Sequence, residues 1–157
     1  MNIRRALEKD VDNLYELLRQ VQGLHADGRP DIFKAGTNKY DKPAIKKILG
    51  DPLTPVYVAV DDADSAIGYA FCAIKEEKGS ENLRPLKTFY IEDLCVAESL
   101  RGKGIGKSLY HHVKGVAQSQ KCYHLTLNVW HLNQMAVKFY EKLGMQPLKT
   151  TMEEILN

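Results

Sequence analysis

Residues 89–108 read FYIEDLCVAESLRGKGIGKS, and the alternation of apolar side chains changes phase inside them. Phe89 and Ile91 put apolar groups at odd positions, whereas Leu94 and Val96 put them at even ones. A strand that keeps one face buried must therefore take up an extra residue between Glu92 and Asp93. A β-bulge does this; it leaves ladder groups unpaired, re-aims side chains and is frequent beside active sites. The expectation is a bulged strand with free backbone donors near Leu94. Directly downstream, Arg101-Gly102-Lys103-Gly104-Ile105-Gly106 precedes a helical stripe of Ile105, Leu109, His112, Val113 and Val116. Glycines at a helix start let a diphosphate approach unpaired N–H groups and the positive end of the helix dipole. Arg101 and Lys103 add positive charge.

Two familiar phosphate motifs fail here by one position. A dinucleotide fingerprint needs glycine three residues after Gly104, where Lys107 stands. A P-loop ending in Gly106-Lys107-Ser108 needs glycine at the place of Arg101. The pattern Arg101-x-x-Gly104-x-Gly106 behind a bulged strand instead resembles the pyrophosphate loop of the GNAT superfamily, the acetyl-coenzyme A dependent N-acetyltransferases. A second segment, VWHLNQMAVKFYEKLGM over residues 129–145, resembles the N-x-x-A-x-x-F-Y-x-x-x-G run that closes the coenzyme site in that superfamily.

The rest of the chain is compatible with a single domain over residues 1–157. At this length about two thirds of the unfolded surface can be buried. A hydrophobic share of 44% with 27% charged residues is ordinary for a globular protein, and no apolar run approaches a membrane span. The first residues, MNIRRALEKDVD, contain no signal-peptide core, so a cytoplasmic protein is expected. Three cysteines without a CxxC, and no His/Cys cluster at zinc spacing, predict neither a disulfide framework nor a metal. A net charge of +2 with dispersed basic residues gives no support for nucleic-acid binding.

In chain order, residues 2–5 suit a first strand. Leu7, Val11, Leu14, Leu17, Leu18 and Val21 mark an amphipathic helix ending at Gly23. Residues 24–40 have no sustained period, and long loops in compact domains are often functional; this one is either an ordered substrate-side loop or a surface connection. Residues 42–49 suit a short helix, and 55–60 with 67–74 an antiparallel hairpin. A strand is expected over 122–129, a helix capped by Asn133 with Ala136, Phe139, Tyr140 and Leu143 on one face, and one or two more strands within 145–156.

The resemblance implies a mixed, mostly antiparallel α/β sheet flanked by about four helices, with the fourth and fifth strands splayed to admit the pantetheine arm. It implies acetyl-CoA as co-substrate, held by main-chain groups of Leu94, Cys95 and Val96, by the loop Arg101, Gly102, Lys103, Gly104, Ile105, Gly106 and Lys107, and by Asn133 and Tyr140. Acetyl transfer to an amine needs a base, a donor for the developing oxyanion and a proton for the thiolate. Glu92 at the bulge is the candidate base, with burial expected to raise its pKa; its plainer role is a charged strand residue facing solvent. Tyr140 is the candidate acid by its match to the family tyrosine, and otherwise a core residue. Asn133 serves as a helix cap, a coenzyme contact or both. Cys95 has no histidine nearby in sequence to make it a nucleophile. Asp31, Glu92 and Asp93 are the candidate contacts for a cationic amine of a small molecule or peptide. A non-catalytic acyl-CoA binding module and a P-loop-type nucleotide binder are the alternatives, and a homodimer remains open.

Overall fold

The computed structural model describes residues 1–156. Five strands form one sheet in sequence order: β1 (Asn2–Arg5), β2 (Val56–Val60), β3 (Ala66–Glu77), β4 (Leu86–Val96) and β5 (His124–Leu127). Neighbours run antiparallel except β4 and β5, which are parallel. The parallel pair needs a crossover, and α3 (Ile105–Ser119) supplies it. Helices α1 (Val11–Gly28), α2 (Lys42–Gly50) and α4 (Gln134–Lys142) complete the layers.

All five residues of β2 are buried, so the sheet is covered on both faces. Val56, Val58 and Val60 pack with Leu14, Leu17 and Leu18 of α1 and Ile45 of α2. On the opposite face Tyr57, Ala70, Cys72, Phe89 and Ile91 meet Tyr110, Val113 and Ala117 of α3. Burying Leu14 and Leu18 contributes about 2 kcal/mol each. Asp10 lies in this core at 2% exposure, accepting two bonds from the Arg4 guanidinium at 2.7 and 3.0 Å and one from the Leu7 N–H at 2.7 Å. Burial alone raises its pKa; Arg4 and the Leu7 amide outweigh burial and hold the carboxyl below its ordinary value.

Three expectations are corrected. Helix α1 does not end at Gly23 but runs to Gly28, because Ala26 is buried on the same face and the real stop is Pro30, which pushes Arg29 out of helical geometry. The irregular segment is therefore 29–41 rather than 24–40. The strand expected over 122–129 shrinks to four residues, since β4 and β5 pair only from Thr88↔His124 to Ile91↔Leu127. No strand forms within residues 145–156. Pro147 removes a donor there, and Leu148, Met152, Ile155 and Leu156 are 68–86% exposed rather than packed against a sheet edge.

Candidate active site

The phase change in β4 is a bulge at Glu92. Phe71 of β3 faces Asp93 and Cys72 faces Ile91, leaving Glu92 without a partner. Phe89 and Ile91 before the bulge pack on the α3 side, and Leu94 and Val96 after it do the same. Beyond Ile91 the edge of β4 toward β5 has no strand partner, so the main chain of residues 92–96 on that edge is unpaired by any strand. This is the splay that the family resemblance implied.

The bulge gives its two acids different surroundings. Glu92 is the open one, its side chain 35% exposed, with the Tyr40 hydroxyl donating to it at 2.9 Å and Lys39 Nζ at 4.0 Å. Asp93 is the enclosed one, accepting from the Tyr69 hydroxyl at 2.9 Å. Burial raises the Asp93 pKa, opposed chiefly by the Tyr69 bond and the nearby Lys39 ammonium. The burial expected at Glu92 thus falls on its neighbour. Cys95 is buried, its thiol pKa pushed up to about 11 by burial, and its Sγ donates to the Val96 carbonyl. A thiol so raised stays protonated near neutrality and is a poor nucleophile.

At the end of β4, Arg101 Nε donates to the Val96 carbonyl at 3.2 Å, which folds this side chain back onto the strand. Gly102 and Gly104 have φ of +78° and +82°, left-handed values that disfavour side chains. Gly104 caps α3 without a side-chain bond, and the first carbonyl bond of the helix comes from Ser108 back to Gly104. The N–H groups of Gly104, Ile105, Gly106 and Lys107 therefore have no acceptor among the described residues, and the helix dipole adds its positive end there.

Helix α4 packs on the α3 side of the sheet through Tyr140. Asn133 caps it, its Oδ1 accepting from Ala136 N–H at 3.1 Å. Phe139 lies against the start of α3: a side chain at Gly106 would meet the Phe139 ring at 3.4 Å. The neighbouring Tyr140 packs in the cluster of Leu94 and Tyr110. Burial, followed by the nearby Asp93, Tyr110 and Cys95, holds the Tyr140 pKa above its ordinary value, so its hydroxyl is a proton donor across the neutral range. No hydrogen-bond partner holds that hydroxyl among the described residues.

The 24–40 stretch, expected as an ordered substrate-side loop or a surface connection, carries a chain of aromatic contacts. His25 at the end of α1 stacks on Phe33 at 5.0 Å, and Phe33 meets Trp130 edge-on at 5.3 Å. This aromatic chain joins the 29–41 segment to the loop after β5. Arg29 holds Asp31 at 2.7 Å and also binds Glu153 at 2.7 Å. Among the described residues no cluster of His, Cys, Asp and Glu is placed to hold a metal ion, and no helix is long and apolar enough to cross a membrane.

Residues 13–145 match the sequence profile of the acetyltransferase (GNAT) family, and the chain belongs to that family. It is 37% identical to the thialysine N-epsilon-acetyltransferase of Mus musculus over 93% of this chain and 84% of that protein. It is 28% identical to the peptidyl-lysine N-acetyltransferase YjaB of Salmonella typhimurium over 92% of this chain and 82% of that one. A crystal structure of a point mutant of the BH1408 protein from Bacillus halodurans superposes with a TM-score of 0.96, 29% identity and full coverage of both chains. An aminoglycoside N-acetyltransferase solved with CoA shares the fold at a TM-score of 0.72 and 18% identity, with 99% of each chain covered.

Proposed function

We propose that the chain transfers acetyl from acetyl-CoA to a primary alkyl amine of a small molecule or peptide, by direct attack while both substrates are bound. The observation that carries this reading is continuous: the unpartnered edge of β4 over residues 92–96 leads into a helix start whose amides have no acceptor. Those features fit the coenzyme. The amides of Gly104 to Lys107, with Arg101 and Lys103, suit its diphosphate, and Gly104 offers open space where a side chain would stand. The main chain of Leu94, Cys95 and Val96 suits the pantetheine amides as an added strand. Asn133, which caps α4, is the further coenzyme contact that the family motif suggests.

Bound acetyl-CoA supplies an activated thioester; the chain's own residues do the rest. Glu92 takes a proton from the amine nitrogen, directly or through water, and its open carboxylate hands that proton on to solvent. The Leu94 N–H donates to the carbonyl oxygen as charge gathers on it. Tyr140, protonated and with its hydroxyl unheld, gives a proton to the departing sulfur. Asp93, whose carboxyl is held above its ordinary pKa by burial, accepts from Tyr69 and leaves the open position at the bulge to Glu92. The relatives named for thialysine and for peptidyl-lysine support an ε-amine of lysine type as the acceptor class.

The test is a pair of measurements on the full chain. Acetyl-CoA raises the melting temperature and ATP with magnesium does not; a panel of lysine-type amines then releases thiol from acetyl-CoA. Stabilisation by acetyl-CoA with no thiol release from any amine returns the protein to a binding module, and stabilisation by ATP with magnesium instead returns it to a nucleotide binder.

A further inference from the structure

We propose that Lys39 is a self-acetylation site, its side-chain amine standing beside Glu92 where an external acceptor amine would stand. The proposal rests on the acetyltransferase reading of this cleft. Lys9, Lys42, Lys46 and Lys87 pair with Asp64, Asp12, Glu8 and Glu76, none of which borders the bulge. Lys39 pairs with Glu92, Nζ to Oε2 at 4.0 Å. Its Nζ also lies 5.3 Å from the Tyr40 ring, whose hydroxyl donates to the same Glu92 oxygen. Lys39 also acts electrostatically on Asp93. One ammonium thus stands against both acids of the bulge.

This lysine is not a loose surface side chain. Asn38 Nδ2 donates to the Tyr15 carbonyl of α1 at 2.9 Å, and the Lys39 N–H donates to Asn38 Oδ1 at 2.9 Å. On the other side the Tyr40 ring lies 5.9 Å from Phe71, and Asp41 caps α2 by accepting from Ala44 N–H at 2.8 Å. The backbone is pinned before and after Lys39, while the side chain keeps 43% of its surface for water and substrate.

The step balances without any further reactant than acetyl-CoA. Lys39 gives one ammonium proton to Glu92, which passes it to water. The neutral nitrogen attacks the thioester carbon, an N–C bond forms and the C–S bond breaks. The second nitrogen proton is matched by the one Tyr140 gives to the thiolate, so free thiol leaves. The product is a neutral amide that no longer pairs with Glu92, and the acid pair is then open to an external cation. Because the nucleophile is tethered and held beside its base, the rate is a property of one molecule and not of encounters.

The experiment incubates the full chain with acetyl-CoA and no added amine, and follows each lysine by peptide mass spectrometry. Lys39 is expected to gain an acetyl group about 10²-fold faster than Lys34 or Lys42, with a half-time unchanged on dilution of the protein. Glu92→Gln slows Lys39 by about 10²-fold and leaves Lys34 and Lys42 at their solution rate. Modification of Lys39 no faster than its neighbours, or a rate that climbs with protein concentration, overturns the proposal. Thiol release with a free lysine-type amine is measured in parallel. Turnover of the free amine with Lys39 unmodified sinks the self-acetylation alone; no stabilisation by acetyl-CoA and no thiol release from any amine sinks it together with the proposed function.

Discussion

The hydroxyl of Tyr69, a residue with no exposed surface, donates to the Asp93 carboxylate at 2.9 Å. Burial lifts the Asp93 pKa above its unfolded value, and the Tyr69 bond limits the rise. A carboxyl raised in this way favours folding below about pH 3.9, and that contribution disappears as the pH climbs through the folded value. Tyr69→Phe lifts the folded value further. It is expected to cost about 2 kcal/mol at neutral pH and less near pH 4, which urea denaturation at the two pH values measures.

Asp10 has the opposite sign. Its folded pKa is depressed, so its stabilisation is present above about pH 3.9 and is lost as the pH falls through the folded value. Asp10→Asn leaves Arg4 without its buried partner and is expected to lose about 3 kcal/mol at neutral pH. The variant's stability then falls less steeply than wild type on acidification, a difference that thermal melts along a pH series resolve.

Gly104→Val acts on the proposed diphosphate grip. The added Cβ meets no protein atom, but φ of +82° costs a non-glycine residue about 1–2 kcal/mol. The expected outcome is a folded protein, slightly less stable, whose melting point no longer responds to acetyl-CoA. A wild-type response in that melt would remove the diphosphate from this turn.

Tyr140→Phe keeps the ring in its cluster and removes only a hydroxyl that nothing holds, so stability should hardly change. The acetyl-transfer rate under chemistry-limited conditions is expected to fall by about 10²-fold. Stopped-flow thiol release checks it, and an unchanged rate returns Tyr140 to core packing.

Glu92→Gln separates deprotonation from positioning. An alkyl ammonium has a pKa of about 10.4, so little neutral amine exists at pH 7 and a base matters. The variant is expected to lose rate at pH 7, keep its response to acetyl-CoA, and recover as alkaline medium supplies neutral amine. A deficit that stays constant across the pH series would assign Glu92 to orientation instead.

The bulge was legible in the sequence because burial enforces alternation: Phe89, Ile91, Leu94 and Val96 cannot share a face without an extra residue at Glu92. The start of α3 was legible for the same kind of reason, since Gly102 and Gly104 adopt left-handed geometry that side chains avoid. The end of α1 was not, because Gly23 fits inside a helix and the stop at Pro30 follows a stretch of mixed pattern. Tyr69 was hidden by its strand, where an aromatic reads as core. Residues 24–40 were readable as a substrate-side loop, but the pairing of Lys39 and Tyr40 with Glu92 came only through the fold, which brings that segment to β4 from far away in sequence. The unpaired tail was misread because alternation alone does not supply a neighbouring strand to bond with.

The aromatic chain from His25 through Phe33 ends on Trp130, which is the chain's single tryptophan and is 38% exposed. All indole emission from this protein therefore originates at one spot, on the loop between β5 and α4, in edge contact with the segment that carries Lys39. A shift in that emission on mixing with amine or with acetyl-CoA reports a change at this contact without a label, and times it separately from the chemistry of the thiol.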